Sequence, residues 1–398
     1  MAPKPLSGVR VIDLTNVLAG PFCCHQLAHM GADVIKVEAP GRGDLARQLG
    51  ADTDLSAANM GVSFLAQNAG KRSVTLNLKH RKGKELLKSL VKSADILVEN
   101  FRPGVMDRLS LSYDTLAQEN ESLIYCAISG FGQNGPWVQH PAYDQIIQGL
   151  SGVMSITGDQ QSAPLRVGYP IADTIGGLTA AFAISAALNT QPRGTFIDVS
   201  MLEATLSTMG WVVSNFLIGD LRPAPHGNEN VTSAPSGAFQ AKDGLLNISA
   251  NKDEQWVSLA RHIGREDLLE RPEFASRELR KENRASLNAE LEKALVVKQA
   301  SVWANELNQL GVPAGAVMTV PDILNHPQVR ERGFVRDYET VPGIDKTISV
   351  ATTGFTMDGN RPQVEGPPPQ LGRDNDEIWG ALGYSADDIA AFKEDGVI

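Results

Sequence analysis

Apolar residues along this chain fall into short blocks that alternate between strand and helix patterns. Val9-Arg-Val-Ile-Asp-Leu14 is a short β-rich run. Gly20-Pro21 opens a helical pattern, with proline at the first helical position, where its missing N–H costs nothing. The pattern runs to about His29, Gly31 ends it, and Asp33-Val-Ile-Lys-Val-Glu38 is the next strand. Strand, helix and strand in this order predict parallel pairing. Further strands are predicted at Ser73–Leu78, Ile96–Glu99, Leu123–Ser129 and Ile197–Ser200. Helices are predicted over Lys82–Ser93 and from about Leu202. A ligand of such a sheet sits at the carboxyl ends of its strands. The first turn, Thr15-Asn-Val-Leu-Ala-Gly-Pro21, lacks Gly-x-Gly-x-x-Gly, so dinucleotide binding is not supported.

The texture changes after Leu221–Pro235, a stretch of Pro, Asn and Gly that reads as a linker. Gly237–Ala250 reads as two strands turned at Lys242-Asp-Gly244. Charged helical segments follow to about Leu310. Residues 361–370 are Pro-rich, and two helices close the chain, the second opened by the capping-box spacing Ser385-Ala-Asp-Asp388. The expected fold class is α/β. A Rossmann-like parallel-sheet domain covers residues 1–220, completed by residues 330–398, and a smaller α+β domain covers residues 225–329.

Composition narrows the function classes. A chain of 398 residues, 42% hydrophobic and 21% charged, has the makeup of an ordinary globular protein of two domains. Its net charge of -10 argues against nucleic acid as a partner. Cys23, Cys24 and Cys126 form neither a metal-ligand spacing nor a disulfide framework. The opening Met1-Ala-Pro-Lys-Pro-Leu-Ser-Gly8 has no apolar core of a signal peptide, and no uncharged apolar run could cross a bilayer. No membrane partner and a cytoplasmic location are the expectations. The seven histidines are scattered, with no two-histidine ligand motif, so no metal is expected. There is no P-loop and no Gly-x-Ser-x-Gly elbow.

Asp173 is the residue that stands out. It lies in Arg166-Val-Gly-Tyr-Pro-Ile-Ala-Asp-Thr-Ile-Gly-Gly177, at the mouth of an apolar helical pattern running from Leu178 to Leu188. Burying a carboxylate is costly, and a helix N-terminus can offset the cost. Asp173 is therefore either a helix cap or a carboxylate placed for chemistry. Arg72, Arg102 and Arg108, with Lys71 and Lys79, lie near predicted strand ends, where they suit phosphates or are solvated surface charge. Cys126, inside an apolar strand, reads as core.

Gly8-Val-Arg-Val-Ile-Asp-Leu14, Leu18-Ala-Gly-Pro21 and Gly31–Glu38 form an ordered set with Gly70-Lys-Arg-Ser73, Leu76-Asn-Leu-Lys79, Val98-Glu-Asn-Phe-Arg-Pro-Gly104 and Ser129–Pro136. Gly311-Val-Pro313, Pro327-Gln-Val329 and Leu382-Gly-Tyr384 complete it. Together they resemble the family III CoA-transferases, the CaiB/BaiF group, over nearly the whole chain. The resemblance implies an enzyme that moves CoA from an acyl-CoA thioester to a carboxylic acid, a small mono- or dicarboxylate. CoA is then a substrate, with no tightly bound cofactor, and the protein is an interlocked homodimer.

Asp173 stands at the family's nucleophile. Leu18, Ala19, Leu76, Asn77, Leu78, Lys79, Asn100, Phe101, Arg102, Arg108, Tyr143 and Asp144 stand at its CoA contacts, and Arg72 joins the phosphate candidates. Ala39 replaces an arginine that one relative uses at the nucleotide end, leaving Arg42 as a candidate. Ala234–Gln240 matches a glycine-rich covering loop, with Ser236 and Gly237 as acyl contacts or as an ordinary hairpin entry. Arg47 and Arg166 are candidate clamps for a second carboxyl group, and Arg47 has an equal structural reading. Gln48 and Leu49 supply no aromatic residue of the kind formyl-CoA transferases carry there, which weighs against a formyl or oxalate substrate.

The same fold serves α-methylacyl-CoA racemases, the competing reading. They need a histidine where Ala142-Tyr-Asp144 has tyrosine. A phenol, ordinarily ionising near ~10, is a poor second proton relay.

Overall fold

The computed structural model describes residues 4–398; Met1-Ala-Pro3, part of the leader reading, lies outside the described residues. Six strands form one parallel sheet: β1 (Arg10–Asp13), β2 (Asp33–Glu38), β3 (Arg72–Thr75), β4 (Ile96–Glu99), β5 (Ile124–Ser129) and β6 (Thr195–Ser200). Their order is β3-β2-β1-β4-β5-β6, with all five pairings parallel. The order reverses between β1 and β4, so the loops leaving those two strands diverge and open a crevice at the carboxyl edge. The middle strands are buried on both faces, as expected for a covered parallel sheet.

One compact unit holds this sheet. It comprises the chain up to Gly152, Val167–Leu221 and Gln328–Ile398. Within it, an antiparallel pair is formed by Val335–Tyr338 and Ile348–Ala351. The closing helices Asn375–Ala381 and Ala386–Glu394 pack Trp379 and Phe392 into the core. The capping box at Ser385 is present, with Ser385 and Asp388 each bonding the other's backbone N–H. The second unit comprises Val153–Arg166 and Arg222–Pro327. Its sheet joins Ser236–Gln240, Leu245–Ser249 and Ala314–Ala316 in antiparallel fashion, over a core of its own that includes Trp256, Phe274, Leu291 and Trp303.

Two boundaries depart from expectation. The first helix begins at Ala19, so Pro21 is its third residue rather than its first, still within the turn whose N–H groups have no intrahelical partner. β3 ends at Thr75 rather than Leu78: Leu76 N–H makes one more bond to Glu38 O, and Asn77 N–H turns to Val397 O at 2.7 Å. The C-terminus thus captures the segment that sequence alone assigns to the strand.

Charge is buried beneath the carboxyl edge. Lys36, at the centre of β2, is fully buried and reaches Asp44 at 2.9 Å, Asp13 at 3.9 Å and Thr15 O at 2.8 Å. Lys71 meets Asp13 at 2.8 Å and Pro21 O at 3.0 Å. Burial works against each charge. The opposite charges outweigh it, so the Lys36 pKa is raised and the Asp13 pKa is lowered. Among the described residues no helix is long and apolar enough to cross a membrane, and no three potential metal ligands converge.

Removing Lys36 leaves the buried Asp44 without its cation, while Asp13 keeps Lys71, whereas removing Arg72 breaks a partly exposed pair. Lys36→Met should destabilise the protein by about 3–5 kcal/mol in urea unfolding. Arg72→Ala should change it by less than about 1 kcal/mol. Equal effects of the two substitutions would contradict this division.

Candidate active site

The loop after β1 is held in an unusual conformation. Val17 has φ +67°, a left-handed backbone that β-branched residues rarely adopt. Three contacts over-determine it. Val17 N–H donates to Asp44 Oδ1 at 2.9 Å, Lys36 holds Thr15 O, and Asn100 brackets Asn16. Asn100 Oδ1 accepts from Asn16 N–H at 2.8 Å, and its Nδ2 donates to Asn16 O at 2.8 Å. The Asn100 amide therefore stitches the loops of β1 and β4 across the crevice. Strain of this kind, on the order of 1–3 kcal/mol, persists where the surroundings enforce it, and here it sets the direction in which Leu18 and Ala19 enter the first helix.

Gly177 ties that helix to Asp173. A Cβ on Gly177 would meet Ala19 O at 2.5 Å, so only glycine lets helix Ile171–Ala187 approach the start of Ala19–His29 this closely. Asp173 is four residues earlier, on the same face and one turn away. Gly176 does the same toward Met201, where a Cβ would come within 2.9 Å of its Cγ. A Cβ on Gly130 would meet Ala142 Cβ at 2.5 Å, which brings the glycine loop after β5 against Ala142-Tyr-Asp144. Asn100, Phe101 and Arg102 line a cavity of about 60 Å³ with Ser129, Gly130 and Ala142.

Asp173 is not the cap of its helix. Pro170 stands at the N-cap with no side-chain bond, and the capping oxygen comes from Asp144. Asp144 Oδ1 accepts from Ala172 N–H at 2.9 Å and from Asp173 N–H at 3.4 Å. Gln148 Nε2 donates to Asp144 Oδ2 at 2.7 Å. Asp173 is left in the first turn without the amides that would stabilise its charge. Burial first, and the Asp144 charge second, push its pKa up from 3.8 to about 7.

The fold thus gathers Leu18, Ala19, Asn100, Phe101, Arg102, Tyr143, Asp144 and Asp173 within one unit, on the loops and helix starts at the carboxyl edge. Leu76 to Lys79 leave β3 at the same edge, with Lys79 exposed. Arg108 ends the turn Val105–Arg108 after the β4 loop and is also exposed. Tyr143 is 68% exposed.

Three cations expected at a substrate are instead spent on the protein. Arg47 is fully buried, bonded through Nε and Nη2 to both oxygens of Glu38 at 2.7 and 2.8 Å, and stacked over Phe64. No donor fork of Arg47 faces outward. Arg72 lies at the amino end of β3, the wrong edge for the crevice, clamped by Asp33 and Glu377. Lys71 is consumed by Asp13 and Pro21. The expected covering loop is largely strand. Ser236 opens Ser236–Gln240, and its hydroxyl meets Ser249 Oγ at 3.2 Å. A Cβ on Gly237 would come within 2.9 Å of Asn228 O. Arg280 and Arg284 hold Ala234 O, Ser233 O and Ser236 O.

The residues missed by sequence reasoning are Gln148 and Asp44. Asp144 and Gln148 have the i, i+4 spacing of a helical side-chain pair, a usable signal. Asp44 carries none, because its partners Val17 and Lys36 come from distant segments.

The chain belongs to CoA-transferase family III, whose match covers residues 6–375. It is 37% identical over 369 residues to the acetyl-CoA:oxalate CoA-transferase of Acetobacter aceti, across 92% of this chain and 90% of that one. It is 32% identical over 378 residues to the succinyl-CoA:glutarate CoA-transferase of Homo sapiens, across 94% of this chain and 85% of that one. A CaiB/BaiF family protein from Brucella suis is similar in structure, with a TM-score of 0.85 and 32% identity over 96% of this chain and 100% of that one.

The raised Asp173 pKa has a stability consequence. The folded state binds this proton more tightly than the unfolded chain does. The ionised side chain therefore costs nothing below about pH 4, costs more as pH rises, and costs its full amount above about pH 7. Asp173→Asn should be more stable than wild type at pH 8, by up to about 4 kcal/mol, with the gap closing near pH 4. Identical thermal midpoints at pH 8 would contradict the electrostatic account.

Proposed function

We propose that Asp173 is the nucleophile that carries CoA between an acyl-CoA and a carboxylate acceptor. Transfer of CoA from a thioester to a carboxylic acid is the chemistry of the family to which the chain belongs. The observation that carries the assignment is Asp173 itself: a carboxylate in the first turn of a helix, deprived of the helix amides by Asp144 and poised near neutral pH. A carboxylate so poorly stabilised gives up an electron pair readily.

In this reading an Asp173 oxygen attacks the thioester carbonyl, the C–S bond breaks, and CoA thiolate leaves with the electron pair. The product is a mixed anhydride between Asp173 and the acyl group. The thiolate then attacks the Asp173 carbonyl carbon and expels the donor acid, leaving an aspartyl-CoA thioester. The acceptor carboxylate repeats the two steps in reverse order: it attacks this thioester, forms a second anhydride and releases thiolate, which takes the new acyl group and frees Asp173. No net proton or redox change is needed. Leu18 and Ala19, Leu76 to Lys79, Asn100 to Arg102, Arg108, Tyr143 and Asp144 are the proposed CoA-binding residues, and Arg102 and Arg108 are its exposed guanidiniums. Asn100 acts by holding the Asn16 backbone.

Acceptors are small carboxylates, with dicarboxylates favoured by the relatives named for oxalate and glutarate transfer. Arg47 gives no support to the dicarboxylate reading. A racemase would need a second base beside Asp173, and the neighbouring titratable group there is another carboxylate.

We also propose a homodimer. Helix Trp211–Gly219 has no buried residue, yet presents Trp211, Phe216, Leu217 and Ile218 to the outside, and Leu178 and Phe182 are exposed one turn apart on helix Ile171–Ala187. So much exposed apolar surface calls for a partner, and a second copy is the proposed one.

Asp173→Ala should lower transfer from succinyl-CoA or acetyl-CoA, assayed against a panel of mono- and dicarboxylates, by more than a hundredfold with unchanged circular dichroism. Retention of a hundredth of wild-type turnover would sink the assignment. Sedimentation should give twice the 42.7 kDa chain mass, and the paired change Phe182→Glu with Ile218→Glu should lower it. A monomeric wild type would refute the dimer.

A further inference from the structure

Gln148 is fully buried, and both ends of its amide are in use. Nε2 donates to Asp144 Oδ2 at 2.7 Å and to Tyr169 O at 3.2 Å, while Oε1 accepts from Val167 N–H at 2.9 Å. One neutral side chain therefore ties the short helix Asp144–Leu150 to the segment 167–169 that leads into helix Ile171–Ala187. A structural brace could be built with less. Leucine would fill the volume, and the amide is needed only because Asp144 and two backbone groups are buried with it. The partners it selects are the ones that matter for Asp173. Asp144 Oδ2 goes to Gln148, which leaves Oδ1 for Ala172 N–H and Asp173 N–H.

We propose that Gln148 is a positioning residue for CoA transfer, fixing the Asp144 carboxylate over the first turn of the Asp173 helix. The proposal rests on Asp173 being the nucleophile. Its logic is a relay of hydrogen-bond preference. The bond from Gln148 Nε2 to Oδ2 turns Oδ1 of Asp144 toward the helix amides. A charged Asp144 occupies the helix amides and repels charge on Asp173, which keeps Asp173 basic. Of the elements packed against the Asp173 helix, Ala19–His29 carries Cys23, Cys24, His25 and His29 but no acid, Met201–Thr208 carries Glu203, β6 carries Asp198, and β5 carries Tyr125 and Cys126. Asp144 is thus the neighbouring charge that Gln148 can set.

The test is the acid limb of kcat/KM for the acyl-CoA, which reports the free enzyme's essential carboxylate. Gln148→Met removes the bond to Asp144, so the Asp144 carboxylate can turn away from the Asp173 helix, Asp173 becomes less basic, and the limb should move to lower pH by about half to one unit. Asp144→Asn should lower the limb by itself, and Gln148→Met should add nothing in that background. Should Gln148→Met fail to fold, Gln148→Asn, too short to reach Asp144, carries the same expectation.

A rate loss uniform in pH with an unmoved limb would overturn the proposal. So would an equal shift in both backgrounds. Asp173→Ala separates the two levels: retained transfer would remove the nucleophile reading and this inference with it, whereas abolished transfer with an unmoved Gln148 limb would remove this inference alone.

Discussion

The buried ammonium of Lys36 is the constraint from which the site is built. It lies in the middle of a parallel sheet, where a lone charge would be expelled, and it stays because Asp44, Asp13 and Thr15 O surround it. Asp44 then has a fixed oxygen to offer Val17 N–H, and Thr15 has a fixed carbonyl. With Asn100 closing on Asn16 from the other side of the crevice, the loop has no alternative path. Its left-handed Val17 delivers Leu18 and Ala19 against Gly177. That contact places the start of the first helix one turn from Asp173. A hydrophobic substitute for the ion network could stabilise the sheet equally well, but it would leave the loop without its two anchors.

The second constraint is a competition between two carboxylates for one helix N-terminus. Asp144 wins the amides, and Asp173, in the first turn, loses them. The outcome is opposite to the capping role that sequence position suggests for Asp173. Burial, with the Asp144 charge second, holds Asp173 near neutral pH rather than in the ordinary carboxylate range. Helix amides that stabilise an anion also make it a weaker nucleophile. Diverting them to a neighbour, as the proposed nucleophilic role of Asp173 requires, comes at the cost of stability.

Much of this architecture was legible in the chain. The six strands of the parallel sheet read directly from short apolar blocks and their helical spacers, because strands buried on both faces must be continuously apolar. The Asp-Gly turn and the Ser385 capping box read from local chemistry alone. Charged residues were harder. Arg47, Arg72 and Lys71 looked like phosphate or carboxylate ligands, yet each meets an acid brought from elsewhere: Glu38, Asp33 with Glu377, and Asp13. Charge type is local, but charge partners are set by topology. Segment 153–166 groups with the second unit without any composition shift to mark it. Only its spacing from Asp144 marks Gln148, because a glutamine in a short helix reads as surface until its burial is known.

Asp173 acts as the proposed nucleophile only if it becomes covalently attached to the substrate. The most direct measurement is peptide mass spectrometry after incubation with donor acyl-CoA alone, followed by hydroxylamine. An aspartyl-CoA thioester or mixed anhydride predicts a hydroxamate on Asp173, in the peptide spanning Arg166 to Leu178, which disappears in Asp173→Ala. An unmodified Asp173 in enzyme that is turning over, or a hydroxamate on a different carboxylate, would contradict the account.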